Sequence, residues 1–456
     1  MPRTDFGFIT PENLSLFTDL YELTMMQGYF EEGHNPDATF SLFFRELPPD
    51  RGYMIAAGLE QVLHYMETLS FGDRTIDFLA EHGFHDDFLD HLATLEFTGE
   101  ARAIPEGTAV FHDEPVLEVT APIMEAQLLE TIAINQISFG SLIATKAARM
   151  RDVVNRFGDG QALVDFGSRR AHGTDAGMKA ARSSYIGGFT GTSNVAAGEV
   201  FDIPIFGTMA HSWIQSFETE RMAYEAFVDA YGEESILLID TYDTVQGARI
   251  ARAVADEMGV DITGVRLDSG DLAALSKEVA PIVGDMDLFI SSGMDEYKIK
   301  EFIEADGIGN GFGPGTALVT STDAPKVEGV YKLVAVERDG AMRPSMKLSK
   351  GKATLPGEKT VHRVFEDGRF DHDVIGQRHE DLPGEELLEP VFEGGNLVYE
   401  PPSLEAIKDR TLETLRHVPE RIRAIDKPDT YDVRVSDRLQ AEVVELEADL
   451  EEQMLP

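Results

Sequence analysis

His211 ends an apolar run, Phe206-Gly-Thr-Met-Ala-His-Ser-Trp-Ile-Gln215. Neutral imidazole is a nucleophile near neutral pH and can accept a phosphoryl group and pass it on. Residues 203–210 predict a buried strand with His211 at its end, where α/β barrels gather the side chains that meet a ligand. Other predicted strand ends carry matching chemistry. Asp165-Phe-Gly-Ser-Arg-Arg170 brings two arginines, whose guanidinium forks suit a carboxylate or phosphate. Gly187-Gly-Phe-Thr-Gly-Thr-Ser-Asn194 predicts a glycine-rich turn ahead of a helix over 195–201, a place for an anion or a polar ligand group. Leu237-Leu-Ile-Asp-Thr-Tyr-Asp-Thr244 and Arg266-Leu-Asp-Ser-Gly-Asp271 each run an apolar stretch into acids, which suit ribose hydroxyls or, through water, Mg²⁺. Ser292-Gly293 and Gly311-Phe-Gly-Pro-Gly-Thr316 offer backbone N–H groups and a hydroxyl to a phosphate. Taken singly, each piece also reads as structure: a packed histidine, solvated arginines, a turn that only caps a helix. Gathered round one pocket, they suit a phosphorylated sugar.

The elements that must position these residues follow from periodicity. Strands are predicted at 162–166, 203–210, 236–240, 264–267, 287–290 and 307–312, with helices between them that include 245–258 and 272–283. Repeated βα units predict a parallel sheet or barrel with its ligand at the strand C-termini. Upstream, residues 15–30 read as a helix with Thr18 as its N-cap and Leu20, Leu23 and Met26 on its core side. A strand follows at 38–45, a helix at 58–69, two β-like stretches within 97–119, and the longest helical region over 122–157, where Gly140 allows a break or a close helix contact. Beyond residue 324 the repeat fades into alternating segments such as 331–337 and 360–365, then a charged helical tail over 403–450. The expected organisation is an N-terminal α/β domain at 1–135, open to completion by C-terminal segments, then the site-bearing unit at 136–325. A β-rich segment and helical tail occupy 326–456.

The chain has 456 residues, 82 Asp+Glu against 39 Lys+Arg, and a formal net charge of -43. A nucleic-acid binder needs a basic footprint, so that class is excluded. The acids are spread along the chain and the hydrophobic content is 43%, which is not the composition of disorder. A folded protein with an acidic surface of the haloarchaeal kind is expected, its self-repulsion relieved by salt. Cysteine is absent, so disulfides and thiolate metal sites are excluded. No apolar run approaches the ~20 residues of a membrane helix, and residues 1–10 lack a signal-peptide layout. These features predict a soluble cytoplasmic protein.

Asp19-Leu-Tyr-Glu-Leu-Thr-Met25, Asp165 to Arg170, Gly188 to Val195, Gly207-Thr-Met-Ala-His-Ser212, Val265 to Asp271 and Gly311 to Thr316 occur in one order. In these segments the chain closely resembles the nicotinate phosphoribosyltransferase family. The resemblance implies an irregular, incomplete (β/α) barrel beside a mixed α/β domain built from N- and C-terminal segments. It also implies transfer of a phosphoribosyl group from phosphoribosyl pyrophosphate to nicotinate, releasing pyrophosphate and nicotinate mononucleotide. ATP is implied as co-substrate through a phosphohistidine, with Mg²⁺ accompanying the phosphates, and a homodimer or larger assembly with shared sites. On this basis His211 carries the phosphoryl group, and Tyr21 closes over the base from the other subunit. Phe166 stacks on the pyridine ring, and Arg169 approaches the nicotinate or the sugar phosphate. Arg266, Asp268 and Ser269 hold the phosphoribosyl groups, Asp268 counting with His211 as catalytic. Gly293, Gly313, Gly315 and Thr316 receive the 5′-phosphate, and Arg170 and Asp240 add further substrate contacts. Ser193 stands where resembling nicotinamide enzymes carry an aspartate, and its hydroxyl suits the nicotinate carboxylate.

Loss of pyrophosphate develops positive charge at the ribose C1, which nearby carboxylates stabilise. The nicotinate nitrogen needs positioning rather than a base, since it carries no proton to remove. Three other activities share parts of this pattern. A type I phosphoribosyltransferase loop would carry adjacent acids, whereas Asp240 and Asp243 are separated. A nicotinamide phosphoribosyltransferase shares the same segments. A non-catalytic sugar-phosphate sensor would keep the cradle without needing His211.

Overall fold

The computed structural model describes residues 7–348 and 354–453. Six parallel strands form one sheet, in the spatial order Gly191–Thr192, Ala162–Asp165, Gly311–Gly313, Asp287–Ser291, Gly264–Leu267 and Ile236–Leu238. Their inward residues, among them Leu163, Leu237, Val265, Leu288, Ile290 and Phe312, join helix residues such as Val153, Ala251 and Val279 in one apolar core. Short apolar runs with helices between them give this arrangement because both faces of a parallel strand are covered. The overall architecture is therefore mixed α/β with a parallel sheet.

The second body is an antiparallel sheet of seven strands that interleaves distant parts of the chain. Asp37–Phe44 lies between Gly329–Arg338 and Pro115–Pro122, and Glu389–Glu393 pairs with Glu100–Ala103. A smaller four-stranded sheet joins Lys359–Glu366 and Arg369–Gln377 to Val433–Val435 and Glu385–Glu386. One helix, Glu130–Phe157, ties the two bodies together. Its first half places Ile132, Ala133 and Ile137 in the core of the antiparallel sheet, and its second half places Ala147, Met150 and Val154 in that of the parallel sheet. Gly140 makes no break in this helix but a close contact, with the turn ahead of the helix Leu59–Thr68 rather than with a helix: a Cβ there would lie 2.8 Å from the Ala57 carbonyl.

Several local expectations need correction. The N-terminal helix is Leu20–Glu31 and its N-cap is Asp19, not Thr18: Glu22 Oε2 accepts the Asp19 N–H at 3.0 Å, so the chain turns one residue later. Leu20 is exposed, while Leu23 and Met26 are buried. The expected strand over 203–210 reduces to one bridge, Thr192 to Ile205. Ile205 and Phe206 are exposed, and the chain runs irregularly to a five-residue helix, His211–Gln215. The tail is two helices, Leu404–His417 and Asp437–Gln453, separated by the strand Val433–Val435. Among the described residues no helix is long and apolar enough to cross a membrane.

Candidate active site

The C-terminal ends of the parallel strands surround a cleft of about 700 Å³. Asp165 organises its floor. This buried carboxylate ends the strand Ala162–Asp165, accepting the Gly167 N–H at 2.7 Å and the Thr192 hydroxyl at 2.8 Å, while its carbonyl accepts the Ser193 N–H at 2.8 Å. Burial pushes its pKa up, and the hydrogen bonds from the Gly167 N–H and the Thr192 hydroxyl oppose that shift. One side chain thus fastens the Phe166 to Arg170 turn to the turn holding Ser193. Phe166 is fixed again from below, where its N–H donates to the Pro314 carbonyl at 2.8 Å. Its ring lies over Gly313, where a Cβ would sit 2.4 Å from the ring, so only glycine lets the aromatic face reach the cleft.

The Arg266 guanidinium stands 6.0 Å from the Phe166 ring centroid and donates to the Met209 carbonyl at 3.1 Å. Burial lowers its pKa, against the opposing pull of Asp268 and Asp240. An arginine held this way, beside an aromatic face and short of a full counter-charge, is a ready partner for an anion. Arg169 and Arg170 add exposed guanidinium groups from the short helix Ser168–Arg170.

His211 is held at one ring nitrogen and faces a carboxylate with the other. Its Nδ1 lies 3.1 Å from the Thr241 hydroxyl, and its Nε2 lies 3.8 Å from Asp268 Oδ2. Asp268 is itself oriented by the Ser291 hydroxyl, which donates to Oδ1 at 2.6 Å. Beneath it, Asp240 Oδ2 accepts the Asp268 N–H at 3.0 Å and the Ser269 hydroxyl at 2.5 Å. An imidazole fixed between a hydroxyl and a carboxylate has the orientation a nucleophile or proton carrier needs. Opposite lies the turn Ser292-Gly293, with φ of 90° and 62°, and the Gly315-Thr316 start of the helix Thr316–Val319. These supply backbone N–H groups and a hydroxyl.

The structure brings His211, Asp268, Phe166, Arg169, Arg170, Ser193, Arg266, Gly293, Gly313, Gly315 and Thr316 to this one cleft. Asp240 and Ser269 do not line it; they brace the loop that carries Asp268. Tyr21 does not line the cleft of its own chain, and sits instead on the helix packed into the antiparallel body. Sequence reasoning passed over Thr241, Ser291 and the organising role of Asp165. Only Asp165 left a signal, an acid at the end of an apolar strand.

Fold and cleft together define an α/β protein with an arginine-rich anion pocket at the C-terminal ends of parallel strands. Three family models match: the nicotinate phosphoribosyltransferase N-terminal domain over residues 16–138, the nicotinate phosphoribosyltransferase family over 161–369, and the nicotinate phosphoribosyltransferase C-terminal domain over 378–442. A nicotinate phosphoribosyltransferase of Mycobacterium tuberculosis is 43% identical over 442 residues, covering 95% of this chain and 94% of that one. That of Bacillus subtilis is 37% identical over 470 residues, covering 95% of each. The crystal structure of human nicotinic acid phosphoribosyltransferase superposes with a TM-score of 0.83 at 29% identity, covering 94% of this chain and 99% of that one. The chain belongs to the nicotinate phosphoribosyltransferase family.

Proposed function

We propose that this chain transfers the phosphoribosyl group of phosphoribosyl pyrophosphate to nicotinate, a step of NAD biosynthesis, and couples it to ATP hydrolysis through His211. The observation that carries the reading is the placing of His211 between Thr241 and Asp268, at the rim of a cleft that also holds Phe166 and Arg266. The Phe166 ring supplies a stacking face for the pyridine, and Arg169, Arg170 and Arg266 meet the anionic groups. The Gly293 and Gly313 to Thr316 backbone receives the 5′-phosphate. Asp268 faces the ribose carbon where positive charge develops and stabilises it. The residues present fit Mg²⁺ arriving with the substrate phosphates. Among the described residues no group of three or more His, Cys, Asp or Glu is gathered to cage a metal, and Mg²⁺ needs only one or two carboxylates beside phosphate oxygens. Asp268 is the carboxylate in position, and bound Mg²⁺ would neutralise charge on the departing pyrophosphate.

The parallel sheet reads as an irregular, incomplete barrel with its seam between the Ile205 bridge and the strand Ile236–Leu238. His211 and Thr241 meet across that seam. The chain works as a homodimer in which Tyr21 of one subunit covers the base bound by the other.

Pyrophosphate release measured with nicotinate, nicotinamide and quinolinate, each with and without ATP in molar KCl, tests the reading. Nicotinate should support release and ATP should stimulate it. His211→Ala should lose the stimulation and the acid-labile protein phosphate while keeping some ATP-independent transfer. A preference for nicotinamide would overturn the choice of base. No release with any base would leave a sugar-phosphate sensor.

A further inference from the structure

At the opposite, N-terminal end of the same parallel strands lies a second cleft, of about 730 Å³. Gly158 to Gly160, leading into the strand Ala162–Asp165, and Gly188 to Thr190, leading into Gly191–Thr192, form its edge. The last turns of the helix Glu130–Phe157, the helix Leu404–His417 and the start of the strand Arg369–Gln377 wall it. Arg151, Arg156, Arg369, Lys408, Arg416 and Arg423 line it, against two carboxylates, Asp152 and Asp159. In a chain with 82 acidic and 39 basic residues, that local excess of cations is contrary to the composition.

Ordinary structural roles account for part of the cluster. Asp152 pairs with Arg423 and, at 3.3 Å, with Arg156; Lys408 meets Glu405 at 2.9 Å and Arg416 meets Glu413 at 2.7 Å. Arg369 donates to the Arg416 carbonyl and so caps a helix C-terminus, where a cation is favoured. Arg151 is different. It is 8% exposed, and its Nε and Nη1 donate only to the backbone carbonyls of Gly188 and Gln161, at 2.8 and 3.0 Å. Among the described residues no carboxylate meets Arg151 or Arg369. Burial of this uncompensated charge pushes the Arg151 pKa down to about 10. A buried cation without a counter-charge is costly, and an anion in the cleft offsets that cost.

We propose that this cleft is a second, non-catalytic anion site that takes a polyphosphate group, held by Arg151 and Arg369 with Arg416 at the rim. Guanidinium forks match phosphate oxygens, and the spread of cations over the cleft suits a chain of phosphates rather than a single one. Arg151 also holds the Gly188 carbonyl, five residues before Ser193, so occupancy of this cleft bears on the turn that lines the catalytic one.

The test counts binding sites for radiolabelled inorganic tripolyphosphate on the full chain, by equilibrium dialysis at the lowest KCl concentration that keeps the chain folded by circular dichroism. The catalytic cleft accounts for one site, and a second is expected. The double replacement Arg369→Ala/Arg416→Ala, on exposed side chains away from the catalytic cleft, should weaken the second site at least tenfold. It should leave the first site and the basal activity unchanged, and lower the melting temperature only by the small contribution of one helix cap and one exposed ion pair. Displacement by ATP as well as by unlabelled tripolyphosphate would identify a nucleotide triphosphate as occupant; displacement by tripolyphosphate alone would identify free polyphosphate. A single site on the parent, or two sites of unchanged affinity in the double variant, overturns the proposal.

Discussion

Asn194, not Ser193, caps the helix Val195–Phe201: its side-chain oxygen accepts the Ala197 N–H at 3.2 Å. Ser193 is thereby relieved of capping and lines the catalytic cleft, its N–H anchored on the Asp165 carbonyl. On the proposed function a hydroxyl there would donate to the carboxylate of nicotinate, a hydrogen bond to a charged group worth roughly 1.5–3 kcal/mol. An aspartate would set like charges face to face in a partly desolvated pocket. Ser193→Asp should therefore lower kcat/KM for nicotinate at least tenfold, about 1.4 kcal/mol, while nicotinamide use falls far less or rises. Steady-state kinetics with both bases checks this, and equal losses would refute the role given to Ser193. The residues that the sequence made legible at this scale are those next to strand ends, because a strand followed by Arg, Asp or Gly-rich turns leaves a local pattern. Thr241 and Ser291 left none. Each acts by touching a side chain 30 or 23 residues away, and one hydroxyl among many polar loop residues carries no mark of the partner that folding will give it.

Elements were legible where one face or both were apolar over a full length. The helix Leu272–Val283 and the strand Gly264–Leu267 lie where the periodicity put them. The stretch at 203–210 misled because apolar side chains also cover an irregular crossing: Met209 is buried, yet Ile205 and Phe206 face outward at the rim of the cleft. Residue 135, an expected domain boundary, lies inside the continuous helix Glu130–Phe157, and no composition shift marks a helix that serves two cores. Long-range sheet order, such as Gly329–Arg338 beside Asp37–Phe44, was not legible, since strand pairing depends on partners far apart in sequence. Where such strands meet, the structure buries acids. Glu114 is buried beside Asp373, and Asp373 is held by Arg363 and by the Tyr431 hydroxyl at 3.0 Å. Burial, and then the Asp373 charge, raise the Glu114 pKa well above the usual carboxylate range. A raised folded-state pKa means that the protonated form favours the fold fully below about pH 4.5, the unfolded value, and that this favour is lost as pH rises through the folded value. Glu114→Gln keeps the Phe111 N–H contact on its carbonyl and turns a donor toward Asp373. Its melting temperature should exceed the parent's near pH 8, with the gap closing as pH falls toward 4.5. A gap that is constant or reversed across that range would show that Glu114 does not titrate in this way.

At the scale of the whole molecule, two features reach beyond one chain's fold. Tyr21 stands on a helix of the antiparallel body and does not line its own chain's cleft; the proposed dimer would bring it to the partner's cleft instead. Mixing Tyr21→Ala and His211→Ala chains should then recover up to about a quarter of the ATP-coupled activity, because half the dimers are mixed and each of those has one intact site. No recovery after verified subunit exchange would mean that each chain completes its own pocket. The other feature is charge. The chain carries a formal -43, and several of its close ion pairs are internal: Arg182 grips Glu106 at 2.9 and 2.6 Å, and Lys146 meets Glu296 at 2.6 Å, all of them buried. Buried pairs are screened little by salt, so they leave the fold nearly indifferent to ionic strength. The exposed carboxylates behave oppositely. The basic side chains drawn inside are unavailable to neutralise the surface, and the remaining acids repel one another. That repulsion acts over ~3 Å at 1 M salt and ~30 Å at 0.01 M. At low ionic strength it reaches across neighbouring helices and destabilises the compact state. The melting temperature should therefore climb steadily from millimolar to molar KCl. Sodium chloride should act equally at matched ionic strength, since screening does not depend on which cation supplies it. A melting temperature that is flat across this range would mean that the surface charge is too dispersed to govern stability, and adaptation to high salt would have to be abandoned.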